Sequence, residues 1–249
     1  MDNLIIYNSP FEKMRIGTNT DGGYVTAKLP DGYDLFISGG IANNVDFEEH
    51  FLKIHSNIKG YGFDGTINNL PKPVKNFTFI KKNLGNANND RLTNLVEYVQ
   101  NHKNIFMKMD VEGHEFRVMP EIIKHDLMQN IKQLVIEIHT PFEMQIISPK
   151  YPDYFKGLGD INNSNMFKLL SDFNKTHTII HFHANNGCGM AEYDNIKIPR
   201  VFELTYIRND FMKEKVKNNE PLPTKLDFKN APHKPDYSFD SYPYCHIDC

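Results

Sequence analysis

The chain has no tryptophan and only three cysteines, Cys188, Cys245 and Cys249, in 249 residues. Three thiols at that spacing build no disulfide framework, so a stapled secreted scaffold is excluded and a reducing, cytoplasmic setting is expected. Long apolar runs are also missing. None approaches the roughly 20 residues that a membrane helix needs, and the mean hydropathy is -0.51, so no membrane partner is expected. The opening residues carry Asp2 and lack the basic and apolar regions of a secretion signal. Net charge is small, because 28 Lys and Arg against 31 Asp and Glu leave -3. Without a global basic field, no nucleic-acid partner is expected. Internal repeats and long Gly/Ser or Pro linkers are absent too.

What is present is a rhythm. Short apolar or β-branched runs at 33–38, 57–63, 76–80, 104–109 and 133–139 predict strands. Helical spacing at 45–55, 91–102, 112–129 and 164–174 predicts the helices between them. Two late runs, 178–183 and 200–207, predict a pair of strands at the sheet edge. Alternating strands and helices imply a doubly wound, mostly parallel α/β sheet with an antiparallel edge hairpin. The division expected is an N-terminal element over 1–33, a central domain over 34–210 and a Pro-rich surface arm over 211–249. The closing Cys245-His-Ile-Asp-Cys249 lacks a second ligand pair and reads as an unstructured tail. In such sheets ligands bind outside the C-terminal ends of the strands, so the polar residues there are the ones to weigh.

The first strand end, Ile37-Ser-Gly-Gly-Ile-Ala-Asn-Asn-Val-Asp-Phe-Glu48, lets backbone approach a ligand. It is neither a dinucleotide fingerprint nor a phosphate loop, which disfavours an NAD(P)-linked oxidoreductase. A strand-to-helix turn that simply needs glycine is the plainer reading. Asp64 ends the second strand, where a carboxylate can accept hydrogen bonds from ribose hydroxyls; a plain Asp-Gly turn is the alternative. Met107-Lys-Met-Asp-Val-Glu-Gly-His-Glu115 is the strongest stretch. Asp110 closes a buried strand there, and Glu112 and Glu115 are expected on one face of the next helix's first turn. Glu137 and His139 share one strand face, as do His181 and His183. A histidine in this setting can be a general base, and a mixed His/carboxylate group can hold a divalent cation.

Lys108-Met-Asp-Val-Glu-Gly-His-Glu115 resembles the K-x-D-x-E-G-x-E signature of FkbM-type methyltransferases, and the resemblance runs from about Arg15 to Arg208. It implies a class I methyltransferase-like fold and S-adenosyl-L-methionine as cofactor. It implies O-methylation of a hydroxyl on a sugar or other small polar acceptor, or a glycan. The cofactor residues implied are Ser38, Gly39, Gly40, Asp46, Glu48, Asp64, Asn83 and Asp110. Ser38 stands where the usual motif has an acidic residue, so Asp46 or Glu48 is expected to take that role. Asp110, His139 and His183 are the expected catalytic residues. Asp110, Glu137 and His139 are the expected ligands of a divalent cation, should one be used. The amino-methylating Asn/Asp-Pro-Pro-Tyr/Phe signature is absent, which disfavours a nucleobase target. A non-catalytic binding protein on the same fold is the competing reading. The segment 140–159 is expected to form a lid or acceptor wall, and the arm to cover the site or support a homodimer.

Overall fold

The computed structural model describes residues 1–151 and 155–246. In chain order the strands and helices are β1 (Lys13–Ile16), β2 (Tyr24–Ala27), β3 (Leu35–Gly39), α1 (Asp46–Ile54), β4 (Gly60–Phe63), β5 (Phe77–Ile80), β6 (Asn83–Leu84), β7 (Leu92–Thr93), α2 (Val96–Val99), β8 (Ile105–Met109), α3 (Glu115–Lys124), β9 (Ile131–His139), α4 (Pro141–Ile147), α5 (Asn163–Asn174), β10 (His177–Ala184), β11 (Met190–Tyr193), β12 (Ile196–Pro199) and β13 (Val201–Arg208). The central sheet runs β10-β13-β9-β8-β3-β4-β5. β3, β4, β5, β8 and β9 pair in parallel. β13 is antiparallel to both of its neighbours. The order reverses at β3 and β8, and the crevice at that switch point is where a doubly wound sheet takes its ligand.

β3, β8 and β9 are buried along their whole length, which is why their sequences are near-continuous apolar runs. Period-two alternation still decides which side each residue serves. Phe36, Phe106 and Val135 pack with Phe47 and Phe51 of α1 and with Tyr24 of β2. Ile37, Met107 and Ile136 pack on the opposite face with Val118 and Met119 of α3 and Leu170 of α5. Burying these apolar faces is the main driving force for the layered arrangement.

Two expected helices are shorter than their periodicity predicts. The 91–102 pattern yields only α2, because Leu95 is left-handed (φ 63) and Leu92–Thr93 pairs with Asn83–Leu84. The 112–129 pattern yields only α3, because Glu112 (φ 54) and Gly113 (φ 91) are both left-handed and no helix can begin there. Glu112 therefore precedes the helix and does not share its first turn with Glu115. The stretch Gly60-Tyr-Gly-Phe-Asp-Gly65 spells G-x-G-x-x-G, yet it is a strand and its end, not a strand-to-helix turn. Gly60 and Gly62 are small because Phe77 lies against them; an added Cβ would come within 2.6 and 2.4 Å of its ring.

The C-terminal arm is packed against the body. Leu222, Phe239, Tyr244 and Cys245 are buried, and Phe182 of β10 meets Phe239 edge-to-face and Tyr244 at a tilt. Asp227 binds His181 of β10 at 2.7 Å. Of the expected 245–249 tail, Cys249 lies outside the described residues, whereas Cys245 belongs to the core. Among the described residues, no helix is long and apolar enough to cross a membrane.

Candidate active site

Two adjoining cavities open at the C-terminal ends of β3, β4, β8 and β9. The larger holds about 940 Å³ and is lined by residues 40–44, Glu48, Asp64, Thr66, Asn83, Leu84, Lys108 and Asp110, among others. The smaller holds about 180 Å³ and is lined by Glu137, His139, Glu143, Phe155, Asn185, Cys188 and Val201. Asp21, Asp110 and Glu112 line both. The 140–159 segment supplies walls to each: α4 brings Glu143 and Ile147, Phe155 faces the small cavity, and Lys156 and Gly157 face the large one. The expected wall residues Pro152 and Tyr154 lie outside the described residues.

The glycine turn is built for close approach. Gly40 has φ 78, and a Cβ there would stand 1.6 Å from the carbonyl oxygen of Asp110. Gly39 is covered by Leu84 and Met109, so Gly40 and not Gly39 reaches the cavity. The next backbone amides, of Ile41 and Ala42, donate to Asp64 Oδ2 at 3.0 and 2.8 Å. Asp64 Oδ1 accepts from the amide and hydroxyl of Thr66 at 2.7 and 2.5 Å. Burial pushes the Asp64 carboxyl up, but these hydrogen bonds outweigh it and hold the group below its usual 3.8. Four donors fill a carboxylate's usual capacity. Asp64 here fixes the turn, and a ligand hydroxyl would reach it by displacing Thr66. Asn83 lines the same wall and accepts the Gly65 amide at 3.0 Å.

Beneath the turn, Ser38 is fully buried and donates to Glu48 Oε1 at 2.6 Å. Lys108 Nζ donates to the Gly40 carbonyl at 2.7 Å and lies 3.8 Å from Glu48 Oε1. Glu48 lines the cavity and is 1% exposed. Asp46 does not: it turns outward and pairs with Lys72 at 2.8 Å. Of the two carboxylates expected to replace the missing acidic residue, only Glu48 is placed to do so, because residues two apart on a helix point to nearly opposite faces.

Around the small cavity the carboxylates are crowded. Asp110 Oδ2 accepts the Tyr24 hydroxyl at 2.9 Å. Asp110 and Glu137 share a hydrogen bond, and burial together with the Asp110 charge pushes Glu137 well above 4.5. Burial also pushes Asp110 up, but Lys108 and His139 outweigh it and hold it below 3.8. The shared proton therefore rests on Glu137 and Asp110 stays charged. His139 Nε2 lies 3.1 Å from Glu112 Oε2 and 3.7 Å from Glu137 Oε2; Glu115 accepts the His139 backbone amide at 2.7 Å. Burial works against charging His139, but Glu112 and Glu115 overcome it and lift the ring well above 6.5. A ring whose affinity for a proton is raised in this way is poorly suited to act as the expected base, and Asp110 is the carboxylate beside it. Ligand atoms of Asp110, Glu112 and His139 lie within 4.8 Å of one another. That trio, with Glu112 in place of the expected Glu137, is the group that could hold a divalent cation.

His183 does not reach either cavity. β13 inserts between β9 and β10, and Glu203 pairs in register with Glu137 on one side and His183 on the other. His183 lies 3.6 Å from Glu203 and 3.6 Å from Asp236 of the arm. Burial lowers its affinity for a proton, but those two carboxylates raise it to about 10. It is a buried cation of the arm interface, and the expectation that it serves as a base is corrected. Sequence reasoning passed over Asp21, Tyr24, Glu143 and Asn185. Asp21 stands in an Asp-Gly-Gly sequence, which reads by itself as a tight turn.

No protein-family profile and no curated protein matches the sequence. Solved structures do match. The fibrillarin/Nop5p complex is 12% identical over 71% of this chain and 73% of that chain, with a TM-score of 0.37. Magnesium protoporphyrin IX methyltransferase (ChlM) from Synechocystis PCC 6803, with bound SAH, is 14% identical over 71% and 74%, with a TM-score of 0.33. The plantazolicin methyltransferase BpumL in complex with SAH is 9% identical over 71% and 76%, with a TM-score of 0.36. Likeness at that level adds nothing to what the sheet and its cavities show by themselves. The strand order, with its single reversed strand one place in from the edge, is class I methyltransferase-like.

Proposed function

We propose that the chain is an S-adenosyl-L-methionine-dependent O-methyltransferase acting on a small polar acceptor such as a sugar. One observation carries the reading: a cavity at the switch point, walled by Gly40, Glu48 and Asp64, shares Asp110 with a second, smaller cavity beside it. The donor-sized space and the acceptor-sized space meet at three carboxylate residues, Asp21, Asp110 and Glu112. A volume near 940 Å³ suits a nucleoside-bearing ligand.

S-adenosyl-L-methionine supplies a methyl group already activated on a sulfonium, so the protein's part is alignment. Glu48 would accept the donor's ammonium group, and Gly40 lets the backbone close on it. The rim at Asp64 and Asn83 would take the ribose and adenine. In the small cavity, Asp110 accepts the proton of the acceptor hydroxyl while Tyr24 holds the other side of that carboxylate in place. Protonated His139 fixes Glu112 and Glu137 at the wall and limits the negative charge there. Titration calorimetry with S-adenosyl-L-methionine tests the reading; no heat and no thermal shift at millimolar ligand would sink it. An acceptor screen with labelled donor then separates hydroxyl methylation from a purely binding role.

The Asp110–Glu112–His139 trio favours a second reading of the same site. A divalent cation held there would lower the pKa of a bound acceptor hydroxyl. Turnover that survives exhaustive chelation, with no gain on adding Mg²⁺ or Mn²⁺, would exclude a required exchangeable ion.

A further inference from the structure

Asp21, Asp110 and Glu112 line both cavities, so a ligand group at the boundary of the two lies beside these three acidic residues. Glu112 is paired with His139 at 3.1 Å. Asp110 accepts the Tyr24 hydroxyl at 2.9 Å and stands within reach of the Lys108 and His139 charges, whereas Asp21 Oδ1 accepts a neutral donor, Asn230 Nδ2, at 3.1 Å. Lys108 is turned to the Gly40 carbonyl, at 2.7 Å. The junction therefore keeps negative charge available to a ligand.

Both ends of the chain cooperate to place Asp21. It sits in the loop between β1 and β2. Arg15 clamps that loop through the carbonyls of Thr18 and Thr20 at 2.7 and 2.9 Å, and the Thr18 hydroxyl donates to the Asp21 carbonyl at 2.7 Å. From the C-terminal arm, Phe228 lies 5.2 Å from the Arg15 guanidinium, and the Leu226 carbonyl accepts from Arg15 at 3.4 Å. Asn230 bridges Asp21 to Glu203, the second bond being 2.9 Å. A lone loop carboxylate would swing into solvent; this one is fixed by two separate segments.

We propose that Asp21 is a specificity-determining residue that reads the charge on the donor's sulfur, and that Asn230 is the positioning residue that holds it at the junction. The inference rests on the methyl-donor reading above. S-adenosyl-L-methionine carries a sulfonium cation, and its product S-adenosyl-L-homocysteine carries a neutral thioether. A carboxylate at the junction attracts the first and not the second, so spent product is released while fresh donor is retained.

The test is calorimetry on the full chain in EDTA at low ionic strength and pH 8, with three ligands: S-adenosyl-L-methionine, S-adenosyl-L-homocysteine and sinefungin, which puts an ammonium where the sulfonium was. The wild type is expected to bind both cations about tenfold more tightly than the thioether. Asp21→Asn should narrow that ratio about threefold or more while leaving homocysteine-product affinity unchanged. Asn230→Ala should narrow it in the same direction. An unchanged ratio in Asp21→Asn, or an equal loss for all three ligands, overturns the proposal, because a merely structural role moves all three together. If the wild type binds none of them, the methyl-donor reading fails and this inference with it, a result distinct from a flat ratio.

Discussion

Glu203 Oε2 of β13 lies 3.6 Å from His183 Nδ1 of β10, and His183 Nε2 lies 3.6 Å from Asp236, so the sheet is tied to the C-terminal arm at a histidine that lines neither cavity. Glu203 faces Glu137 in the other register pair, so one residue separates His183 from the acidic wall of the candidate site. The histidine most readily taken for a base thus supports the scaffold.

That placement has a pH signature. His183 is raised from 6.5 to about 10 by Asp236 and Glu203 acting against burial. A raised folded-state pKa gives stability that is complete below about 6.5 and is lost as pH climbs through about 10. Thermal melts between pH 7 and 10.5 should show the wild type losing roughly 2–4 °C more than His183→Gln across that range. The variant should melt lower at pH 7 with a flatter profile. Parallel profiles would show that the ring is neutral in the fold.

Gly40→Ala tests the close approach at the glycine turn. The added methyl would stand 1.6 Å from the Asp110 carbonyl oxygen, at a residue with φ 78. Backbone must move, and the position of Asp110 moves with it. Urea unfolding should show a loss of more than about 2 kcal/mol. A loss within about 0.5 kcal/mol, typical of a tolerated surface change, would mean that the turn is not packed as described.

Glu48→Gln and Asp46→Asn form a pair. Both remove one negative charge from α1, but Glu48 is buried in the cavity wall and Asp46 is bound to Lys72 outside. Donor affinity, read by calorimetry, should fall about tenfold for Glu48→Gln and stay within about twofold for Asp46→Asn. Equal effects would place the ammonium contact elsewhere. A melting curve on each variant checks that Lys108, left near a neutral amide, has not unfolded the turn.

The sequence by itself determined the architecture. Apolar, partly β-branched stretches such as 105–107 and 134–136 suit central strands, and glycine or acid at the strand ends marks where the chain must turn. It also placed Gly40, Glu48, Asp64, Asn83 and Asp110 at one edge of the sheet, because strand ends in a parallel sheet share an edge whatever their order. Tertiary structure decided what depends on strand order and on distant segments. β13 slid between β9 and β10 and took His183 out of reach. Left-handed backbone at Glu112 moved that carboxylate out of α3 and beside His139. Asp21 and Asn230, 209 positions apart, met at the cavity junction. Periodicity reports only which face of its own element a residue serves. Which elements become neighbours is settled by packing the whole chain, and here that packing decides which carboxylates and which histidine share the cavity wall.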